Sequence, residues 1–148
     1  MSVTGADIVT AARSWIGTPY QHQAACKGAG SDCLGLICGV WTELLGALPE
    51  HLPAYSMDWS EPQGEERLWQ AALRQLKPKT LQDAGLGDVI LFRMRTGSVA
   101  KHLGVQSACG RQSQFIHAYS RCGVIESPLS TPWRRRIVAR FEFPMEVR

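Results

Sequence analysis

Between residues 6 and 16 the apolar positions Ile8, Ala11, Ala12 and Trp15 recur at helical spacing, and Gly17 followed by Pro19 ends the run. The chain is therefore predicted to open with an amphipathic helix. Residues 17–30, rich in Gly, Gln and Ala, read as a loop. Ser31 and Asp32 are good N-cap residues, and they directly precede Leu34, Ile37, Cys38, Trp41 and Leu45. That spacing predicts a helix with these five on its buried face, running to about Gly46 and carrying Cys33 in its first turn. From Leu48 to Pro62 the prolines, His51, Tyr55 and Trp59 make a connector. Glu65 to Leu76 then repeats the helical pattern with Leu68, Ala72 and Leu76 inward, until Pro78 stops it.

From Gly87 the period changes. DVILFRM, HLGVQSA, QFIHAYS, GVIES and RIVARFEF are short β-rich runs separated by Gly, Ser, Pro and Arg, which predicts an antiparallel sheet of about five to six strands. Helices first and strands afterwards imply an α+β fold in which a cysteine-bearing helix packs on a sheet with two histidines. There is no internal repeat, low-complexity tract or domain linker, so residues 1–148 read as one domain, with a connector and helix at about 48–77 between the cysteine helix and the sheet.

Composition narrows this picture. The 148 residues are 45% hydrophobic and 20% charged, the balance of one globular domain able to bury its own core. MSVTGADIVTAARSWIGTPY has neither a basic leader nor an uninterrupted apolar stretch, so no secretory signal or membrane anchor is expected and synthesis is expected to end in the cytoplasm. The net charge is +3, and Arg134, Arg135 and Arg136 cluster near the end, as a solvated face or a contact for an anionic polymer. Aromatic residues are not interleaved with that run, and no nucleic-acid motif is present. Cys26, Cys33, Cys38, Cys109 and Cys122 are odd in number and without CxxC spacing, which argues against a disulfide framework and leaves at least one free thiol.

Cys33 is the candidate nucleophile. A thiol at the positive end of a helix is expected to have its pKa lowered, and the free amides there can also hold an oxyanion. Cys38 lies five residues on, a rotation of about 140°, which places it with the apolar face. The two therefore do not form a chelating pair, and a zinc site is a weak alternative. Of the four histidines, His22 sits in the early loop and His51 in the connector, whereas His102 opens one strand and His117 lies within another. Alternation puts Phe115, His117 and Tyr119 on one face and Ile116 and Ala118 on the other. His102 then serves as base and His117 as the group that fixes its tautomer. The competing reading makes Cys33 a small buried hydrophobe and the histidines ordinary strand residues.

WIGTPY, SDCLGLICGVW, GLGDVILFRM, KHLGV and FIHAYS, in this order, resemble the NlpC family of bacterial cell-wall cysteine peptidases, and the match covers most of the chain. LPAYSMDWSEPQGEE and GVIESPLSTPWRRRIVARFEFP are more narrowly similar to the branch carried by bacteriophages and gene-transfer agents. The resemblance implies a stripped-down papain-like fold and hydrolysis of peptidoglycan stem peptides, typically between γ-D-glutamate and a diamino acid. It matches Cys33, His102 and His117 to the family's catalytic positions, adds Tyr20 as a hydroxyl facing the site, and makes Asp32 and Ser31 candidate substrate contacts, with Asp32 also a cap. Gly35 matches a position of close helix packing. Many relatives carry Ser where this chain has Leu34, so one polar substrate contact is missing. No cofactor or metal is implied. The partners implied are the stem peptide and phage tail proteins, with action at the cell wall or periplasm as part of a particle. Two further readings remain: an amidase or acyltransferase on another acyl donor, and a tail subunit without turnover.

Overall fold

The computed structural model describes residues 2–49 and 66–144. All but Leu48 and Pro49 of the expected connector, including His51, Tyr55 and Trp59, and the first residue of the expected Glu65–Leu76 helix, lie outside the described residues. Helix α1 (Gly5–Arg13) starts on a capping box: Thr4 Oγ1 accepts from the Asp7 amide at 3.1 Å, and Asp7 Oδ2 accepts from the Thr4 amide at 2.9 Å. Ile8, Ala11, Ala12 and Trp15 are all buried, as their spacing predicts.

The stretch 17–30 departs from the expected loop. It contains strands β1 (Ala25–Cys26) and β2 (Gly30–Ser31), paired antiparallel as Ala25↔Ser31 and Cys26↔Gly30. Two-residue strands are too short to show alternation. Tyr20 bridges to Ser31 on the other side, and the Ser31 amide donates to the Pro19 carbonyl at 2.9 Å.

Helix α2 (Cys33–Leu45) begins on Asp32 and ends at Gly46, as expected, but its inward face differs. Leu36, Ile37 and Val40 are buried with Gly35 and Gly39, while Leu34, Cys38, Trp41 and Leu45 are only half-buried. Of the expected stripe, only Ile37 is buried. The glycines explain the shift. A Cβ on Gly39 would overlap the Trp15 ring, and one on Gly35 would overlap the Ala24 carbonyl. Close approach of α1 and the preceding loop thus puts the glycine side of α2 innermost, and hydrophobicity counting does not mark glycine as interior.

Helix α3 (Arg67–Gln75) buries Leu68 and Ala72. Pro78 then lies in an unanticipated strand, β3 (Lys77–Lys79), at the sheet edge, where a residue without an N–H is tolerated. The remaining strands are β4 (Val89–Phe92), β5 (His102–Ala108), β6 (Gln114–Tyr119), β7 (Gly123–Pro128) and β8 (Ile137–Glu142), with a short helix α4 (Thr131–Arg134) before the last. Together they form a six-stranded antiparallel sheet in the order β3-β8-β4-β5-β6-β7. Alternation divides the residues between two cores. Val89, Leu91, Leu103, Val105, Ile116 and Ala118 meet the helices, whereas Ile90, Phe92, Phe115 and Leu129 form a second cluster.

A buried ionic knot ties β4 to β8. Asp88 Oδ2 accepts from Arg140 Nη1 at 2.9 Å, Asp88 Oδ1 from Lys79 Nζ at 2.8 Å, and Arg140 Nη1 also reaches Gln106 Oε1. Asp88 is 2% and Arg140 4% exposed.

Candidate active site

The loop before α2 is wound tightly enough to place Cys33 at the first helical position. Asp32 Oδ1 accepts from the Gly35 amide and Oδ2 from the Gln23 amide, both at 2.7 Å. The Asp32 amide in turn donates to Ala24 O at 3.1 Å. Both carboxylate oxygens therefore hold backbone at the helix end. Ser31 is wholly buried and its hydroxyl donates to the Asp32 carbonyl at 2.9 Å. His22 stands beside this turn, with Nδ1 3.9 Å from Asp32 Oδ2.

The Cys33 thiol donates to the Lys101 carbonyl at 3.6 Å, and the Leu103 amide also engages the sulfur. Cys33 thus abuts the backbone on both sides of His102. Burial pushes its pKa up to about 12, and the Asp32 carboxylate adds to the rise. The amides of Leu103, Leu34 and Cys33 pull in the other direction with smaller effect. This corrects the expectation that the helix end would leave the thiol acidic: desolvation outweighs the helix-end amides.

His102 and His117 meet directly. His102 Nε2 lies 2.8 Å from His117 Nδ1, and His117 Nε2 lies 3.0 Å from Ser127 Oγ. The β6–β7 ladder explains the last contact, since Phe115↔Ser127 and His117↔Ile125 put Ser127 diagonally across from His117. His102 is 8% and His117 1% exposed. Burial, with His117 as a smaller cause, lowers the His102 pKa to about 3; burial lowers His117 to about 4. Burial therefore favours the neutral form of the thiol and of both imidazoles.

Tyr20 is held near Cys33 by its bridge to Ser31. Burial, then Cys33 and then Asp32, push its pKa up to about 12, which keeps the hydroxyl protonated as a donor. Leu34 lines an apolar cavity with Ile37, Trp41, Leu68 and Leu103. All five cysteines are free thiols, and among the described residues no group of three His, Cys, Asp or Glu is arranged to hold a metal.

The arginine cluster has a packing role that its composition did not suggest. Arg134 Nε donates to Leu129 O at 2.9 Å, and Arg136 Nη1 donates to Pro132 O at 3.2 Å. Trp133, directly before the cluster, lies against the histidine pair, with ring centroids 5.6 Å from His102 and 5.1 Å from His117. Sequence reading singled out neither Trp133 nor Ser127. The turn at Tyr119–Gly123 fixes the register that reaches Ser127, whereas no local signal brings α4 onto the site.

No protein-family profile matches the chain. Over 123 residues, 82% of its length, the chain is 28% identical to the murein DD-endopeptidase MepS/murein LD-carboxypeptidase of Escherichia coli K12. It spans about half the length, 54%, of that curated relative. Among solved structures, the NlpC/p60 domain of the peptidoglycan hydrolase SagA superposes with a TM-score of 0.65 at 22% identity, covering 95% of this chain and 100% of that one. An NlpC/P60 family protein from Bacillus cereus gives a TM-score of 0.67 at 20% identity, covering 97% of this chain and 41% of its own. The helices and six-stranded antiparallel sheet that carry Cys33, His102 and His117 are thus the fold of the NlpC/P60 domains.

Proposed function

We propose that this chain is a cysteine peptidase that hydrolyses peptidoglycan stem peptides, with Cys33 as nucleophile, His102 as general base and acid, and His117 as the group that orients His102. The observation that carries the reading is the hydrogen-bonded series His102, His117, Ser127 beside a thiol seated at the first turn of α2. A relative named as a murein endopeptidase and a structural neighbour named as a peptidoglycan hydrolase support the substrate class.

The chemistry follows from a neutral resting pair. The thiol proton leaves the Lys101 carbonyl for His102 Nδ1 as Sγ attacks the amide carbon, so the thiolate is generated in the act of attack. Amides at the start of α2 and the Tyr20 hydroxyl stabilise the oxyanion. The C–N bond breaks, His102 returns the proton to the leaving amine, and a thioester remains on Cys33. Water, deprotonated by His102, then releases the carboxylic acid and restores the thiol. Asp32 and Ser31, both buried, set the helix end that carries Cys33.

The scissile bond is assigned to γ-D-glutamate followed by a diamino acid, and delivery to a phage or gene-transfer-agent particle. Both rest on the resemblance of the motif segments. A second reading keeps the chemistry and changes the acyl donor, because Leu34, which directly follows Cys33 in the chain, lines an apolar cavity where the resembling family commonly has a serine.

Acid-quenched intact-protein mass spectrometry during turnover of soluble stem peptides tests the proposal. An acyl adduct that localises to Cys33 and carries the stem-peptide fragment is expected. Turnover without any adduct on Cys33, persisting in Cys33→Ser, would assign the chemistry elsewhere.

A further inference from the structure

The segment STPWRRR, Ser130–Arg136, places one side chain against the site from outside the strands that build it. Trp133, half-buried on α4, has its ring centroid 5.6 Å from His102 and 5.1 Å from His117, and 5.3, 5.1 and 5.6 Å from Phe92, Phe115 and Tyr119. Phe115 stacks on His117 at 4.1 Å and 29°, while Trp133 meets the same ring edge-on at 80°. The two imidazoles are therefore enclosed by four aromatic rings. On the outer side of Trp133 the Arg136 guanidinium lies 5.7 Å from the ring. Arg136 also holds Met94 O at 3.4 Å and Pro132 O at 3.2 Å, and Arg134 holds Leu129 O at 2.9 Å.

Rotation of an imidazole about χ2 is broad unless its surroundings restrict it. A hydrogen bond between two imidazoles fixes their planes only while water is kept from competing for the same nitrogens. We propose that Trp133 is a positioning residue: it closes an aromatic cage that fixes the His102 and His117 planes and keeps water off the bond between them, and Arg134 and Arg136 hold that cage shut. The proposal rests on the cysteine-hydrolase reading for its effect on turnover. The geometry of the cage does not depend on which bond is cut.

Among the described residues, the titratable and charged groups around the pair are Tyr119 from β6 and Arg136 behind Trp133, with Cys33 from α2 against the backbone on either side of His102; Ser127 from β7 supplies a neutral hydroxyl. None of these is a carboxylate that would hold an imidazolium, so exclusion of water decides the protonation state. The lowered pKa values of both rings, caused first by burial, agree with this.

The test is long-range nitrogen–proton NMR of the imidazole rings across a pH titration of the whole chain, with Trp133→Phe, Trp133→Leu and Trp133→Ala, alongside kcat and KM on stem peptide. Trp133→Phe keeps an aromatic wall and is expected to retain the wild-type titration. In Trp133→Ala or Trp133→Leu protonation is expected to move up by about one pH unit, a tenfold gain in proton affinity. Turnover is expected to fall about tenfold or more, through kcat rather than KM. Trp133→Leu preserves apolar volume and decides the matter where the alanine variant does not fold. A folded leucine or alanine variant with the wild-type titration and kcat overturns the proposal. Wild-type protein that cleaves no stem peptide but shows the NMR shift fails the substrate reading and leaves the cage standing.

Discussion

His102 Nε2 lies 2.8 Å from His117 Nδ1, and the second nitrogen of His117 is already committed to Ser127 Oγ. The tautomer that the proposed mechanism requires satisfies both contacts: His102 donates from Nε2, His117 donates from Nε2 to the hydroxyl, and His102 Nδ1 keeps its lone pair. Replacing His117 by alanine removes the acceptor that fixes this tautomer. His117→Ala is expected to lower kcat on the order of a hundredfold with little change in KM, and Ser127→Ala about threefold to tenfold, the worth of one neutral hydrogen bond. Steady-state kinetics on stem peptide checks both.

Stability should follow a plateau with two flanks. Below the ordinary histidine value of 6.5 the unfolded chain takes up protons that the folded His102 and His117 refuse, so stability falls as pH drops from there toward about 4. Above 9 the unfolded Cys33 ionises while the folded thiol does not, and Tyr20 adds the same effect above 10, so stability falls again as pH rises. Urea midpoints measured from pH 4 to 11 should peak between about 6.5 and 9. In Cys33→Ala the alkaline flank should weaken.

The Asp88–Arg140 pair is buried and shared with Lys79 and Gln106, so removing one partner strands the other. Asp88→Ala is expected to cost about 3–5 kcal/mol by chemical denaturation. A loss below about 1 kcal/mol would mean that the knot is well hydrated.

Gly39 lies under Trp15, where a Cβ would meet the indole directly. Gly39→Ala therefore forces α1 from α2 and is expected to destabilise by about 1–3 kcal/mol, despite the better helix propensity of alanine. A stabilised variant would show that α1 can shift without penalty.

Much of this was legible in the chain. The Asp32 cap, the helix it starts and the five long strands follow from local chemistry, because caps and alternation act within a few residues. The inward face of α2 did not follow, because Gly35 and Gly39 are interior for what they lack, and only Trp15 and Ala24 reveal it. The thiol's direction of shift was missed for a related reason: a helix end can be read from sequence, but the depth of its burial cannot. Pro78 stops the helical pattern and is also a strand residue, because the edge position that tolerates it is a property of the sheet. Trp133 was beyond reach since α4 arrives at the histidines by tertiary packing alone.

The most direct test incubates the wild-type chain and Cys33→Ala with purified peptidoglycan and identifies newly freed amino groups by mass spectrometry. The account predicts fragments ending at a stem-peptide bond from the wild type and none from a folded Cys33→Ala. Equal release by both, or none from wild type with an alkylatable Cys33, would contradict it.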